Sequence, residues 1–207
     1  MERLVTKIVS LTKKRSKIDI NYEFAFVLYK GELRKYNIVE DSIIDEKIYN
    51  EILYEILLRR AKLRCLNLLT ARSYSETQLR NKLKNTYPIE IIEMAIEYVI
   101  SYNYINDEKY VEDYISNNIR NKSRRQIEFD LIKKGIDKDI IDQKIASICE
   151  DSEDYEEEII SRYIIKKISK LDELTSKDSE KIVAALYRKG FSIDKVRKCI
   201  KKRVLFN

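Results

Sequence analysis

The chain has 207 residues, of which 37% are charged and 44% are hydrophobic, and its formal net charge is +6. This balance is typical of a folded, water-soluble protein and argues against a disordered chain or an integral membrane protein. The chain has no histidine, which excludes Ser-His-Asp catalysis, Cys-His catalysis and the common zinc sites.

The N-terminal residues predict a small β-element. Residues 5–8 and 18–20 alternate apolar and polar side chains, as the two strands of a hairpin do. Residues 24–28 are rich in aromatic and β-branched side chains and predict a third strand, which Gly31 ends. We assign this β-element and its connector to residues 1–44.

A linking helix is predicted next, over residues 45–60. Apolar side chains recur there at helical spacing, and Asp45 is a suitable N-cap. The same spacing continues to residue 72, so one long helix and two helices broken near Arg59 both fit the pattern.

A pattern of apolar and helix-capping residues then occurs three times, with copies separated by 48 and 55 residues. Such self-similarity indicates stacked helical repeats, which present extended surfaces to large partners. Each copy predicts three helices, and the repeats are assigned to residues 61–106, 107–150 and 151–207. The predicted fold is mainly α: an elongated array of three tandem three-helix bundles with a small N-terminal three-strand element.

Capping residues mark the start of the second helix in each repeat. Ser75 with Gln78, and Ser123 with Gln126, predict reciprocal capping boxes, in which the serine accepts from a backbone amide and the glutamine reaches back. In the third repeat, Asp178 is the expected N-cap, without the box.

Glycines mark the end of the second helix in the last two repeats. Gly135 and Gly190 are expected there because glycine tolerates the left-handed backbone that stops a helix. Asp137 and Ser192 can then cap the third helices, and Pro88 fits the first turn of the corresponding helix in the first repeat.

Charge is unevenly distributed near the C-terminus. Residues 150–158 hold seven acidic and no basic side chains, whereas residues 159–207 hold 14 basic and 5 acidic ones, a net charge of +9. A basic unit behind an acidic linker indicates an anionic partner. Mutual compensation of the two segments is the competing interpretation.

Basic side chains near the ends of the second helices are the candidate functional residues. Their recurrence is typical of a surface that follows a phosphate backbone, although a solvated helix face gives the same pattern. Arg124 and Arg125 lie in a first helical turn, where positive charge opposes the helix dipole, and this conflict favours a function. The candidates are Arg72, Arg80, Lys82, Arg120, Lys122, Arg124, Arg125, Lys133, Lys134, Arg188 and Lys189.

No residue pattern predicts catalysis. The three isolated glycines leave no phosphate-binding loop, and no pair of carboxylates suits acid-base chemistry. Cys65, Cys149 and Cys199 are expected to be buried reduced thiols, and most tyrosines to pack in small cores rather than stack on bases. We predict a cytoplasmic, monomeric, non-enzymatic protein without cofactor, metal or membrane contact, since neither a signal peptide nor a membrane span is visible.

Four segments resemble the RecX family of bacterial regulatory proteins. Residues 104–110 (YINDEKY) resemble the family's G-Y-L-D-D-x-x-[FY]-A segment, and residues 75–83 (SETQLRNKL) resemble S-x-x-E-L-x-x-K-L. Residues 131–137 (LIKKGID) resemble L-x-x-K-G-[IV]-[DS], and residues 23–26 (EFAF) resemble the end of D-G-E-[FY]-A-F. The segments keep the family's order along nearly the whole chain.

The resemblance implies a regulator of the RecA recombinase. Proteins of this family are understood to bind RecA filaments on single-stranded DNA and to inhibit or modulate strand exchange, ATP hydrolysis and coprotease activity. Capping, groove binding and sequestration of free RecA all fit the residues. A general DNA-binding helical module and a non-enzymatic protein adaptor are the alternative functions.

Overall fold

The computed structural model describes residues 2–149, 155–168 and 175–205. The protein is mainly helical with one small three-stranded sheet. Its chain divides between residues 106 and 107 into two compact units. None of the helices in these ranges is long and apolar enough to cross a membrane.

The predicted hairpin and third strand are confirmed. Strands β1 (Val5–Ser10), β2 (Arg15–Ile20) and β3 (Glu23–Tyr29) form an antiparallel sheet in the order β1-β2-β3. Alternate side chains of β2, including Ile18 and Ile20, are buried, which is the period-two pattern that the sequence shows.

Gly31 does not end the third strand, as the sequence suggested. The strand ends at Tyr29, and helix α1 (Lys30–Lys35) includes Gly31. The Tyr29 backbone amide donates to Glu32 Oε2 at 2.7 Å, so a side chain three residues ahead satisfies the amide that begins the helix. The low helix propensity of glycine, taken alone, does not reveal this cap.

The linking helix is continuous with the first helix of the next segment. Helix α2 (Glu46–Asn50), a π-helical stretch (Glu51–Leu57) and helix α3 (Leu58–Ala71) follow one another without a break near Arg59. Asp45 caps the start as predicted, because its Oδ1 accepts from the Lys47 amide at 2.8 Å.

The π-helical stretch keeps one helix face on the core. Ile52, Leu57, Ala61 and Cys65 are fully buried, and the first interval between them is five residues while the next two are four. A wider turn fits the interval of five. Burial raises the pKa of the Cys65 thiol to about 11, as expected of an unreactive core cysteine.

Helices α4 (Glu76–Leu83) and α5 (Ile89–Ser101) complete the N-terminal unit. The sequence divides this unit into predicted segments 1–44, 45–60 and 61–106; in the structure, buried residues from all three contribute to a single core. The sheet, the long helical run and the last two helices therefore support one another.

The C-terminal unit contains two helical triplets, each around its own core. The first comprises α6 (Asp107–Asn118), α7 (Arg124–Lys133) and α8 (Lys138–Cys149), and the second comprises α9 (Tyr155–Ile168), α10 (Ser176–Arg188) and α11 (Ile193–Leu205). Their end-to-end arrangement with the N-terminal unit as an elongated array stays a prediction. Most of the acidic run, residues 150–154, lies outside the described residues, as does the Cys149 side chain.

The predicted caps of the second helices are confirmed in full in the first repeat, whereas the box of the second repeat and the cap residue of the third need correction. Ser75 and Gln78 form the reciprocal pair. Ser123 accepts from the Gln126 amide, but the Gln126 side chain donates to an aspartate one turn ahead instead of reaching back. Thr175 caps α10, and Asp178, the predicted cap, lies in the first turn with its amide donating to Thr175.

Both predicted glycine stops are confirmed. Gly135 and Gly190 have φ angles of 78° and 89°, in the left-handed region that glycine favours. At Gly190 space is also limiting: a Cβ atom would lie 2.5 Å from Ser123 Oγ. This close approach joins the end of α10 to the start of α7.

Gly190→Ala should destabilise the C-terminal unit by about 1–3 kcal/mol, because the new methyl group meets both a strained φ and the Ser123 hydroxyl. Urea unfolding of the full chain, followed by circular dichroism, measures the change. Gly31→Ala is the matched control: its Cβ meets nothing within 4 Å in a helix, so it should stabilise the chain by about 0.5–1 kcal/mol. Equal effects at the two glycines would contradict this account.

Candidate nucleic-acid interface

The structure separates the eleven candidate cations into those that other side chains hold and those that face solvent. Arg80 belongs to the first group. Its Nε and Nη2 atoms donate to the two Glu93 carboxylate oxygens at 2.9 and 2.8 Å, and Glu76 forms a second ion pair with it. These bonds raise the pKa of Arg80 and lower that of Glu93, so the contacts of this guanidinium lie within the chain.

Lys122 is held in the same way. Its Nζ lies 2.8 Å from Asp130 Oδ2 and 2.8 Å from the Tyr114 hydroxyl. These two hydrogen bonds raise the pKa of Lys122. Burial acts to raise the pKa of Asp130, but hydrogen bonds from Lys122, Tyr114 and Gln126 outweigh it, and the net shift is downward.

Arg72 and Lys134 lie over tyrosine rings. The Arg72 guanidinium is 4.4 Å from the Tyr74 ring centroid, and Lys134 Nζ is 5.3 Å from the Tyr114 centroid. Cation–π contacts of this kind stabilise the fold without any ligand. The other seven candidates have exposed side chains and form no ion pair within the described ranges: Lys82, Arg120, Arg124, Arg125, Lys133, Arg188 and Lys189.

Two exposed candidates that are far apart in sequence line one cleft. Arg125 from the start of α7 and Arg188 from the end of α10 line a cavity of about 240 Å³, together with the rings of Phe129 and Tyr187. Phe129 is 60% exposed and Tyr187 is 51% exposed. We refer to these four residues as the cationic-aromatic cleft.

A buried hydroxyl group holds together the two helix ends that line the cleft. Ser123 Oγ donates to the Lys189 carbonyl at 2.7 Å and accepts from the Gln126 amide at 3.1 Å, and Ser123 is fully buried. The same atom therefore caps α7 and satisfies a carbonyl at the end of α10. Because Gly190 has no side chain, the two helix ends can approach this closely.

Glu156 on α9 supplies the negative charge that the first turn of α7 lacks. Its Oε1 accepts from the Arg124 backbone amide at 2.9 Å, its Oε2 accepts from Lys195 Nζ at 2.7 Å, and it is 8% exposed. A carboxylate at this position compensates the helix dipole. Arg124 and Arg125 do lie in the first turn of α7, as predicted. Because Glu156 compensates the dipole there, their conflict with the dipole no longer favours a function, and the functional interest of Arg125 depends on the cleft.

The cleft combines two features that suit unpaired nucleic acid. Guanidinium groups form bidentate hydrogen bonds with phosphate, and exposed aromatic rings stack on bases of any sequence. No group of described side chains has the composition of a metal site. The chemistry available in the cleft is thus binding of an anionic, aromatic ligand.

Sequence reasoning missed Phe129 and Tyr187. A signal existed for Phe129, which lies midway between the buried Ile127 and Leu131 and so on the opposite face of α7, where a large apolar side chain needs an explanation. The expectation that tyrosines pack in cores also fails in part, because Tyr102 is 60% exposed.

Comparisons with known proteins give one consistent family. The family model described as the first three-helix domain of RecX matches residues 61–98, and the second three-helix domain matches residues 106–145. "Regulatory protein RecX" of Clostridium perfringens strain 13 is 31% identical over 184 residues, covering 87% of this chain and 85% of the relative. Its counterpart in Caldanaerobacter subterraneus is 28% identical, covering 95% and 98%.

Solved structures share the fold. A crystal structure of regulatory protein RecX matches 97% of this chain and all of its own, with a TM-score of 0.64 and 21% identity. A RecX crystal structure from Lactobacillus salivarius matches 72% of this chain and 97% of its own, with a TM-score of 0.63 and 23% identity.

Glu156→Gln should lower the free energy of unfolding of the C-terminal unit by about 1 kcal/mol, because the charged acceptor for Lys195 and the Arg124 amide is lost. Urea unfolding measures the loss, and hydrogen exchange at the Arg124 amide should accelerate. Glu158→Gln is the control, because it removes one negative charge from an exposed side chain two residues further along the chain. If this control had an equal effect, the specific role of Glu156 would be refuted.

Proposed function

Since the chain belongs to the RecX family, we propose that it is a non-enzymatic regulator of the RecA recombinase. It binds RecA filaments, or RecA on single-stranded DNA, and mostly inhibits ATP hydrolysis, strand exchange and coprotease activity. The protein acts in the cytoplasm as a monomer.

The cationic-aromatic cleft is the observation that carries the proposal. Arg125 and Arg188 are exposed and free of ion pairs within the described part of the chain, and they flank two exposed rings in one cavity. Folded proteins seldom gain stability from such an arrangement, since like charges repel and exposed rings remain hydrated. The cleft suits a DNA strand in a nucleoprotein filament, where phosphates meet the arginines and bases meet the rings.

Four of the other five exposed candidates lie on or near α7 and α10. Arg124 and Arg120 lie near the start of α7, Lys133 lies at its end, and Lys189 follows Arg188. The C-terminal residues 159–207 add 14 basic side chains against 5 acidic ones, which strengthens attraction to a negatively charged filament. Long-range attraction of this kind accelerates association and weakens with salt.

A charge-reversal experiment tests the proposal. The intact chain should lower ATP hydrolysis by RecA on single-stranded DNA. Arg125→Glu with Arg188→Glu should raise the concentration for half-inhibition about tenfold, since each reversed contact costs about 0.7 kcal/mol and the two together about 1.4 kcal/mol. The difference from the unmodified chain should shrink as salt is added.

Arg34→Glu with Arg59→Glu is the control, because it makes the same change in net charge at exposed arginines in the N-terminal unit. Unchanged RecA turnover at saturating unmodified chain would refute the proposed function. Tight binding to single-stranded DNA without any effect on RecA would instead identify a general DNA-binding module, and binding to acidic protein without DNA dependence would identify an adaptor.

A further inference from the structure

A cationic cavity lies in the N-terminal unit, and the proposed function does not use it. Its volume is about 410 Å³, within the range of small-molecule sites. Every charged side chain that lines it is a cation: Arg15, Arg60, Arg64 and Lys82. Of these, only Lys82 was a candidate from the sequence.

The walls of the cavity follow from regular structure. Arg15 on β2 pairs directly with Tyr29 on β3, so their side chains lie on one face of the sheet. Arg60, Leu63 and Arg64 are three and four residues apart on α3, which places them on one helix face. The Val27 amide donates to the Thr86 carbonyl at 3.2 Å, which attaches the connection after α4 to the edge of the sheet.

The four cations have different roles. Arg60 forms an ion pair with Glu32 and lies 4.6 Å from the centroid of the Tyr29 ring, so its charge is compensated and its position is fixed. Arg15, Arg64 and Lys82 have exposed side chains and form no ion pair with any residue that the structure describes. Three uncompensated positive charges therefore border one concave surface.

Convergence of like charges opposes folding. Repulsion among Arg15, Arg64 and Lys82 destabilises the compact state, and solvent only weakens that repulsion. A multiply charged anion in the cavity would remove it. The apolar part of the wall, Tyr29 at 42% exposure and Leu63 at 52%, offers a surface for a flat or sugar-like group beside that anion.

We infer that this cavity binds one nucleotide unit, with its phosphate among Arg15, Arg64 and Lys82 and its base or sugar against Tyr29 and Leu63. Guanidinium groups match phosphate oxygens in bidentate geometry, and lysine adds a point charge. The nucleotide comes either from a free nucleoside phosphate or from a single strand, since both carry the same recognised group.

Two lysines close in sequence provide an internal comparison. Lys82 lines the cavity, whereas Lys84, also exposed, is not among its lining residues. The intact chain is treated with a limiting acetylating reagent in the presence of inorganic phosphate, dTMP or oligo(dT), and mass spectrometry measures the acetylation rate of each lysine. We expect acetylation of Lys82 to slow severalfold relative to Lys84 with dTMP or oligo(dT).

The probes distinguish the sources of the nucleotide. Protection by dTMP and oligo(dT) alike supports a free nucleotide as ligand, and protection by oligo(dT) alone supports a single strand. No preferential protection of Lys82 by either probe would overturn the inference. If inorganic phosphate protected Lys82 as well as dTMP does at the same concentration, the assignment of Tyr29 and Leu63 would be overturned.

A pair of matched variants locates the protection. Arg15→Gln with Arg64→Gln should abolish the protection of Lys82 and, for oligo(dT), lower the slope of log affinity against log salt by about 0.7, the contribution of one phosphate. Arg34→Gln with Arg59→Gln, at exposed positions outside the cavity, should retain both. Without ligand, the first variant should melt at no lower temperature than the unmodified chain. Loss of protection in both variants, or in neither, would refute the cavity as the site.

Discussion

One buried hydroxyl group carries much of the organisation of the C-terminal unit. Ser123 Oγ accepts from an amide of its own helix and donates to the carbonyl of Lys189, 66 residues away. This buried hydroxyl satisfies both the Gln126 amide and the Lys189 carbonyl. If either hydrogen bond were lost, a buried polar group would be left without a partner, which destabilises the fold. Only glycine at position 190 leaves room for this approach. The end of α10 and the start of α7 are therefore held together, and Arg125 and Arg188 line one cleft.

The cationic side chains of the described residues fall into two groups, those with a carboxylate or ring partner and those without one. Arg80 and Lys122 are bonded to carboxylates, and Arg72 and Lys134 lie over rings, so these four contribute to the fold. Arg125, Arg188, Arg15 and Arg64 lack such partners within the described residues and border cavities instead. Exposed ion pairs stabilise proteins by about 1 kcal/mol or less, so leaving a few cations unpaired costs little stability while it preserves their charge for a ligand.

Features determined by neighbouring residues could be predicted from the sequence, and features determined by distant ones could not. The capping box at Ser75, the stop at Gly190 and the alternation in β2 depend on side chains within a few positions, and all three are confirmed. The π-helical turn before Leu57 and the compensation of α7 by Glu156 arise from packing between separate segments. Sequence therefore identified basic ends of helices but not which of them share a cavity, and it missed Phe129 and Tyr187.

Both cavities exist only in the folded chain, which couples ligand binding to stability. Arg15, Arg64 and Lys82 come from a strand and two helices, and Arg125 and Arg188 come from two further helices. In the unfolded chain these cations are dispersed, so an anion that bridges them binds the folded state preferentially and stabilises it by mass action. The repulsion that each group of cations adds without ligand is relieved by the same anion. Stability should then rise with ligand concentration most steeply at low salt, where repulsion and attraction are both strongest.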